Sequence, residues 1–276
     1  NKGFDAKKLQ ALLSQPKGRA DAKVPSEEQL TSLLAHYQNG RCDEAEKLAV
    51  KITQEFPAHQ FGWKVLGAIL KQTGRVIDSL TSMQKSVQLA PQDVEAHSNL
   101  GITLKELGRL DEAEASFRQV ILLKSDYADA HCNLGNTLQE LGRLDEAKAS
   151  LRQAIALKPD FAEAHYSLGT TYKELGRLDK AKASYAQAIA LKPDYVEAHN
   201  NLGNILQALS ILEESEAILR QAIGLKPDFA EAHNNLGNTL QELGRLEEAE
   251  ASLRQAIALK PDFAEAHNNL GNTLQE

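Results

Sequence analysis

The chain is poor in aromatic residues and in cysteine, and its 31 basic residues are outnumbered by 38 acidic ones. Only 5% of its 276 residues are aromatic, with one tryptophan, Trp63, and two cysteines, Cys42 and Cys132. No apolar run approaches the roughly 20 residues that cross a bilayer, and no signal-peptide pattern opens the chain. Two isolated thiols favour a reducing compartment, so we expect a cytoplasmic protein without a disulfide.

The charge and the absence of recognisable active-site motifs exclude further classes of protein. A net charge of −7 argues against a nucleic-acid partner, because such partners are bound through clustered lysine and arginine. There is no phosphate-binding glycine loop, since the glycine that follows a leucine every 34 residues lies inside a helical pattern rather than between a strand and a helix. We therefore predict that this chain is not itself an enzyme and holds no cofactor.

The chain is rich, by contrast, in one repeated pattern. A leucine–glycine pair recurs every 34 residues, beginning with Leu66 and ending with Leu270. A fixed period of this size indicates stacked repeats, each too small to bury its own apolar face alone. The period therefore predicts an all-α array of repeats that offers a long concave surface to another chain.

Each repeat is predicted to fold as two antiparallel helices with a short turn. In residues 128–161, His131, Leu134 and Leu138 recur at helical spacing, Gly142 ends the first helix, and a second apolar stripe follows. Gly135 and Ala147 are expected where the two helices approach closely. Ser210 replaces the turn glycine in one repeat, which predicts a distorted turn there.

An acidic pair at the start of several repeats has the spacing of a capping box. Asp160 and Glu163 are the first example, and the later pairs are Asp194/Glu197, Asp228/Glu231 and Asp262/Glu265. We expect each of these aspartates to cap the helix that follows.

The period divides the chain into three parts. Residues 1–25 are predicted to form an N-terminal helix and linker, and residues 264–276 the first helix of a truncated eighth repeat. Between them lie seven full repeats, at residues 26–59, 60–93, 94–127, 128–161, 162–195, 196–229 and 230–263. An uncovered last helix predicts end-to-end self-association, because terminal repeats normally need a polar cap.

The recurring residues resemble the tetratricopeptide repeat (TPR) over residues 26–276. The second repeat matches the family pattern through Trp63, Leu66, Gly67, Leu70, Met83 and Pro91, and the fourth through His131, Leu134, Gly135, Leu138, Ala147, Leu151, Ala154 and Pro159. The first repeat is weaker, with Gln29 and Leu33 where tryptophan and glycine are usual. The resemblance implies a right-handed α-solenoid, or superhelix, that acts as a protein-binding scaffold.

The segment AEAHNNLGN is similar in sequence to the repeats of the TPR superhelix of O-GlcNAc transferases and to those of long bacterial TPR arrays. In the transferase superhelix, an asparagine ladder lines the concave surface and holds the backbone of an extended peptide. The resemblance implies a ladder here at Asn99, Asn133, Asn201, Asn235 and Asn269. A second row lies three residues further along the same helices and shares their face, at Asn136, Asn204, Asn238 and Asn272. Alternatively, these residues form hydrogen bonds between repeats or are simply solvated.

From the third repeat onward, an acidic residue at the second position indicates the charge of the partner. They are Glu95, Asp129, Glu163, Glu197, Glu231 and Glu265. Because these groups would repel a carboxylate, we predict a basic or neutral extended polypeptide rather than an acidic chaperone tail. Two alternatives stay open: a substrate-recruiting region of a larger O-GlcNAc-transferase-like glycosyltransferase, and a self-assembling scaffold.

Six histidines occupy the fourth position of successive repeats and invite a metal hypothesis. They are His97, His131, His165, His199, His233 and His267. Metal ligands must converge at about 2 Å, and residues one stacked repeat apart should not do so. We therefore predict no metal site, and expect the histidines to replace the usual aromatic residue between helices.

Overall fold

The computed structural model describes residues 24–275, so the helix and linker predicted for residues 1–25 lie outside it except for Val24 and Pro25. The described residues form 15 α-helices and no strand. The helices are α1 (Glu27–Gln38), α2 (Cys42–Glu55), α3 (Gln60–Gln72), α4 (Val76–Leu89), α5 (Val94–Glu106), α6 (Leu110–Leu123), α7 (Ala128–Glu140), α8 (Leu144–Leu157), α9 (Ala162–Glu174), α10 (Leu178–Leu191), α11 (Val196–Ala208), α12 (Leu212–Leu225), α13 (Ala230–Glu242), α14 (Leu246–Leu259) and α15 (Ala264–Thr273).

Two compact bodies make up the chain, divided in sequence between Asn133 and Leu134. We refer to them as the N-terminal and C-terminal bodies, and to the odd- and even-numbered helices as A and B helices. Within each body, an A helix packs on the B helix that follows it, and that B helix packs on the next A helix. The predicted all-α architecture of helix-turn-helix repeats is confirmed.

In the six A helices from α3 to α13, one glycine faces a large side chain of the B helix that follows. A Cβ atom added at Gly135 would lie 2.6 Å from Leu151 Cγ, and one at Gly203 would lie 2.5 Å from Leu219 Cγ. The same contact joins Gly67 to Met83, Gly101 to Phe117, Gly169 to Tyr185 and Gly237 to Leu253. The leucine–glycine pair therefore recurs where helices A and B lie too close together for any side chain at the glycine position.

The first repeat achieves the same packing with the two sizes exchanged. Its A helix carries Leu33 at the glycine position, and its B helix carries Ala49 where later repeats have a large residue. Both side chains are fully buried in one apolar cluster, together with Ile52 and Val65. The weak match of this repeat to the family pattern thus reflects an exchange of volume and not a loss of packing.

In each of the seven described turns between a helix A and its helix B, one residue adopts a left-handed conformation. Gly142 has a φ of +74°, and its neighbour Arg143 donates its N–H to Leu138 O at 2.8 Å. Ser210 adopts the same conformation, with a φ of +59°, and Ile211 N–H donates to Leu206 O at 2.9 Å. The predicted distortion of this turn is therefore wrong, because serine accepts the left-handed conformation at a cost in free energy.

The predicted acidic caps are also wrong. The N-cap residues are Phe161, Tyr195, Phe229 and Phe263, one residue after each aspartate, and no side chain caps these helices. Each of these rings instead lies under the lysine that ends the preceding B helix, as with Lys158 Nζ, 4.6 Å from the Phe161 ring centroid. Asp93 does stand at an N-cap, and it accepts from the N–H groups of Glu95 and Ala96.

The turn of the sixth repeat yields a test of stability. We expect Ser210→Gly to raise the free energy of unfolding by about 1 kcal/mol, because glycine adopts a positive φ without steric cost. The measurement is the midpoint of urea denaturation followed by circular dichroism. Gly244→Ser, the reverse change at a φ of +73°, is the matched control and should lower the midpoint. Equal midpoints for all three proteins would contradict this account.

Candidate functional site

The nine predicted asparagines lie on A helices of both bodies. Asn99 and Asn133 belong to the N-terminal body, and the other seven to the C-terminal body. None is buried: Asn272 is exposed and the rest are partly exposed. We describe the two rows within the C-terminal body, where three consecutive A helices carry both.

The first row forms hydrogen bonds between adjacent repeats. Asn235 Nδ2 donates to Asn200 Oδ1 at 2.9 Å, and Asn269 Nδ2 donates to Asn234 Oδ1 at 2.9 Å. The alternative prediction, that these asparagines form hydrogen bonds between repeats, therefore accounts for one hydrogen bond of Asn235 and one of Asn269. Each such bond uses one of the two N–H groups of the amide and neither of the lone pairs on its oxygen.

The acceptors of these bonds are buried residues at the fifth position of the preceding repeat. Asn234 is 1% exposed and also donates its own Nδ2 to Glu265 Oε1 at 3.1 Å. Asn269, Asn234 and Glu265 thus form a continuous set of hydrogen bonds across one repeat boundary. Because the first-row amide is held at one N–H, its rotamer is restricted before any ligand binds.

The second row has no such partners. Among residues 24–275, the side-chain amides of Asn204, Asn238 and Asn272 form no hydrogen bond. Each lies three residues after a first-row asparagine, so the two rows share a helix face. Asn136 differs, because it makes further polar interactions of its own, as does Asn133 in the N-terminal body.

A buried lysine takes the fifth position in the second repeat. Lys64 is 1% exposed, and its Nζ lies 2.9 Å from Asp93 Oδ2 and 2.8 Å from Glu95 Oε2. Gln60 Nε2 donates to the same Asp93 carboxylate at 2.8 Å. Lys64 therefore stands where Asn234 stands, and it reaches the same second-position carboxylate of the next repeat.

The fifth repeat departs from both patterns. Tyr166 occupies its fifth position, and the hydroxyl accepts a hydrogen bond from Asn201 Nδ2 at 3.0 Å. The Tyr166 ring packs against Tyr195 at a centroid distance of 4.9 Å and against Tyr185 at 5.7 Å.

Most of the histidines make the same kind of hydrogen bond as Trp63, which occupies the fourth position of the second repeat. Trp63 Nε1 donates to Pro57 O at 2.9 Å. Five of the six histidines place Nε2 at 3.0 to 3.1 Å from the carbonyl oxygen six residues earlier, at Pro91, Ser125, Pro159, Pro227 and Pro261. His199 instead places Nδ1 3.0 Å from Tyr195 O. The histidines therefore replace the tryptophan as donors to the loop.

Neither a metal site nor a membrane span is found in the part of the chain that the structure describes. No three His, Cys, Asp or Glu side chains between residues 24 and 275 are grouped so that they could hold a metal ion. No helix in that range has the length and apolar character needed to cross a bilayer.

Comparison with known families identifies the repeats. A profile described as a TPR repeat matches residues 103–142, 135–176, 169–210 and 238–276, and profiles described as tetratricopeptide repeats match residues 82–115, 196–229 and 218–251. The chain belongs to the tetratricopeptide repeat family. The resemblance on which the sequence analysis relied is therefore confirmed for the family, and the TPR fold indicates a scaffold for protein interactions.

Solved structures of other TPR proteins share the fold. YrrB, described as a TPR protein with an unusual peptide-binding site, is 24% identical with a TM-score of 0.57, over 67% of this chain and 96% of YrrB. MamA is 25% identical with a TM-score of 0.55, over 60% and 97%. PilF of Pseudomonas aeruginosa is 17% identical with a TM-score of 0.68, over 77% and 97%. No curated protein sequence matches the chain.

Sequence reasoning missed the fifth position of the TPR units. Lys64, Tyr166, Asn200 and Asn234 all connect neighbouring repeats, yet none of the four was predicted as a site residue. The doubled asparagine at positions 200 and 234 was the available signal, because two adjacent polar residues on one helix rarely share a role. Lys64 gave no comparable signal, since its burial depends on carboxylates 29 and 31 residues away.

The buried Lys64 cluster predicts a response to acid. Burial acts to raise the pKa of the Asp93 carboxyl, but the Lys64 charge and the hydrogen bonds from Lys64, Ala96 N–H and Gln60 outweigh it and lower the pKa. A lowered pKa in the folded state gives stability that is present above the unfolded pKa, about 4, and is lost as the pH falls through the folded pKa.

We therefore expect Asp93→Asn to cost about 3 kcal/mol at pH 7 and to flatten the fall in stability below about pH 4. Asparagine keeps the capping ability of this position. The measurement is the free energy of urea unfolding against pH. Asp160→Asn, at an exposed aspartate that caps no helix, is the control and should follow the wild type. Parallel pH curves for Asp93→Asn and the wild type would refute the role of Asp93.

Proposed function

We propose that the chain binds an extended polypeptide along the A helices through side-chain amides. The observation that carries this proposal is the second asparagine row. Asn204, Asn238 and Asn272 recur at intervals of 34 residues, are at least partly exposed, and have no hydrogen-bond partner between residues 24 and 275. Three unpaired amides in register on one helix face suit a ligand that itself repeats, which a polypeptide backbone does.

An asparagine amide can serve both polar groups of a peptide unit. Its N–H groups donate to a peptide carbonyl, and its oxygen accepts from a peptide N–H. Adjacent packed helices lie about 8 to 10 Å apart, and an extended chain advances about 3.3 Å per residue. One asparagine therefore meets every third peptide unit, and contacts of this kind recognise the backbone without reading side chains.

The first row supports the same binding face. Asn201, Asn235 and Asn269 each keep an amide oxygen and one N–H after the inter-repeat bond is made. Because that bond restricts the side chain beforehand, less conformational entropy is lost when a peptide binds. In the N-terminal body, Asn99 also lacks a described side-chain partner, and we propose that Asn99 and Asn133 bind peptide there. Asn136 joins the proposed site of the C-terminal body.

Charge on the same face favours a neutral or basic peptide. The second-position carboxylates of the C-terminal body are Glu163, Glu197, Glu231 and Glu265, and the whole chain carries a net charge of −7. A similar protein, YrrB, is described as having a peptide-binding site, which supports a peptide as the ligand class. The alternative of a substrate-recruiting region in a larger glycosyltransferase stays a prediction that no feature of the described residues favours.

The proposed site predicts a loss of binding without a loss of stability. We expect Asn204→Ala, Asn238→Ala and Asn272→Ala together to weaken peptide binding at least about tenfold, because each amide hydrogen bond contributes roughly 0.5 to 1.5 kcal/mol. Random nonapeptides displayed on phage would be selected against the wild type, and fluorescence anisotropy of the synthetic peptides would give the affinities.

A matched control removes three exposed amides from B helices of the same body. Gln187→Ala, Gln221→Ala and Gln255→Ala change the same chemical group away from the proposed face and should leave the affinity unchanged. Neither triple variant should have a lower unfolding midpoint than the wild type, because alanine is a better helix former than asparagine or glutamine. If the wild type selects no peptide, or both variants bind equally well, the asparagine site is wrong.

A further inference from the structure

The second-position carboxylates of the C-terminal body are not equivalent. Glu163 lies 4.0 Å from Lys192 Nζ, Glu231 lies 3.5 Å from Lys260 Nζ, and Glu265 accepts a hydrogen bond from Asn234. Among the described residues, no lysine, arginine or hydrogen-bond donor partners the Glu197 side chain, which is exposed. Glu197 is therefore an unneutralised negative charge in a row whose other members have partners.

The substitution at Tyr166 removes a donor that two other repeat boundaries supply. At those boundaries, the fifth-position side chain donates to the second-position carboxylate of the next repeat, as Lys64 does to Glu95 and Asn234 does to Glu265. Tyr166 holds that position before Glu197, but its hydroxyl is bonded to Asn201 and its ring packs against Tyr185 and Tyr195. Glu231 receives no hydrogen bond from Asn200 and pairs with Lys260 instead, whereas no lysine or arginine of the described residues lies within 4.0 Å of the Glu197 carboxylate.

Glu197 lies on the same face of α11 as the asparagines. Glu197, Asn201 and Asn204 stand at positions i, i+4 and i+7, which share one side of a helix. Burial raises the pKa of the Tyr166 hydroxyl, and the negative charge of Glu197 raises it further. The carboxylate therefore interacts electrostatically with the Tyr166 side chain. The half-buried tyrosine, the free carboxylate and the two amides therefore border one part of the proposed peptide face.

We propose that Glu197, beside Tyr166 and Asn201, forms a subsite for a lysine or arginine side chain of the bound peptide. The proposal rests on the proposed function and adds to it a preferred side chain at one place. The carboxylate pairs with the cation, and the aliphatic stem of the lysine or arginine covers the exposed part of the Tyr166 ring. The acidic net charge of the chain draws the same class of peptide to this face.

Two peptide pools test the subsite directly. Both consist of fluorescein-labelled peptides of about nine residues, enough to span three repeats at 3.3 Å per residue. The residues are alanine, serine, threonine and glycine around one central lysine in the first pool, and around norleucine in the second. We expect the full wild-type chain to bind the lysine pool about three- to fivefold more tightly at low ionic strength, as for an exposed ion pair. The preference should fall as salt is added.

Glu197→Gln is the test variant, and Glu231→Gln is the matched control. Glu231 occupies the same position one repeat later, but Lys260 already partners it. We expect Glu197→Gln to abolish the preference for lysine and leave norleucine binding unchanged, whereas Glu231→Gln keeps most of the preference. Neither carboxylate makes a hydrogen bond within its own helix that glutamine would remove, and equal unfolding midpoints would confirm that the fold is intact.

The outcomes separate the subsite from the proposed function. If the wild type binds both pools equally, or if Glu197→Gln and Glu231→Gln reduce the preference by the same factor, the Glu197 subsite is wrong while peptide binding stands. If the wild type binds neither pool, both the subsite and the asparagine site are wrong. A wild-type preference for lysine that Glu197→Gln alone removes supports both.

Discussion

The structure depends on the close contact between a glycine of helix A and a large side chain of helix B. Since a Cβ atom at these glycines would lie 2.5 to 2.9 Å from its neighbour, the distance between the paired helices is set by backbone against side chain. Leucine, methionine, phenylalanine and tyrosine all fill the B-helix position, and the first repeat reverses the sizes through Leu33 and Ala49. The contact therefore constrains volume, not residue type.

This contact also determines where polar chemistry is available. Because one side of each A helix is committed to its own B helix, another side faces the A helix of the next repeat. There the fifth-position side chain of one repeat lies near the sixth- and second-position side chains of the next. Different repeat boundaries carry different groups at these positions. Lys64 reaches Glu95 as an ammonium, and Asn234 reaches Glu265 as an amide. Tyr166 instead accepts from Asn201.

The sequence was sufficient for the fold because the period is a long-range signal that survives local variation. Leucine–glycine spacing predicted both helices and the contact between Gly135 and its partner helix. It failed where one residue decides the outcome: Asp160 lies one position before the N-cap, and Ser210 adopts a glycine conformation. The asparagine rows were visible in sequence, but their hydrogen-bond partners 35 residues away depend on how repeats stack.

Nearly identical repeats create a difficulty for any ligand that reads backbone. A peptide displaced along α11, α13 and α15 by one repeat meets the same pair of asparagines, so the amides alone assign it no unique position. The fifth repeat breaks that equivalence, because α9 presents Tyr166, Ser167 and Thr170 where the later A helices present asparagine. In the proposed subsite, the Glu197 carboxylate at this boundary would pair with a basic side chain of the peptide. That pairing would fix the position of the peptide along the repeats. Specificity in such an array therefore arises where a repeat departs from its neighbours.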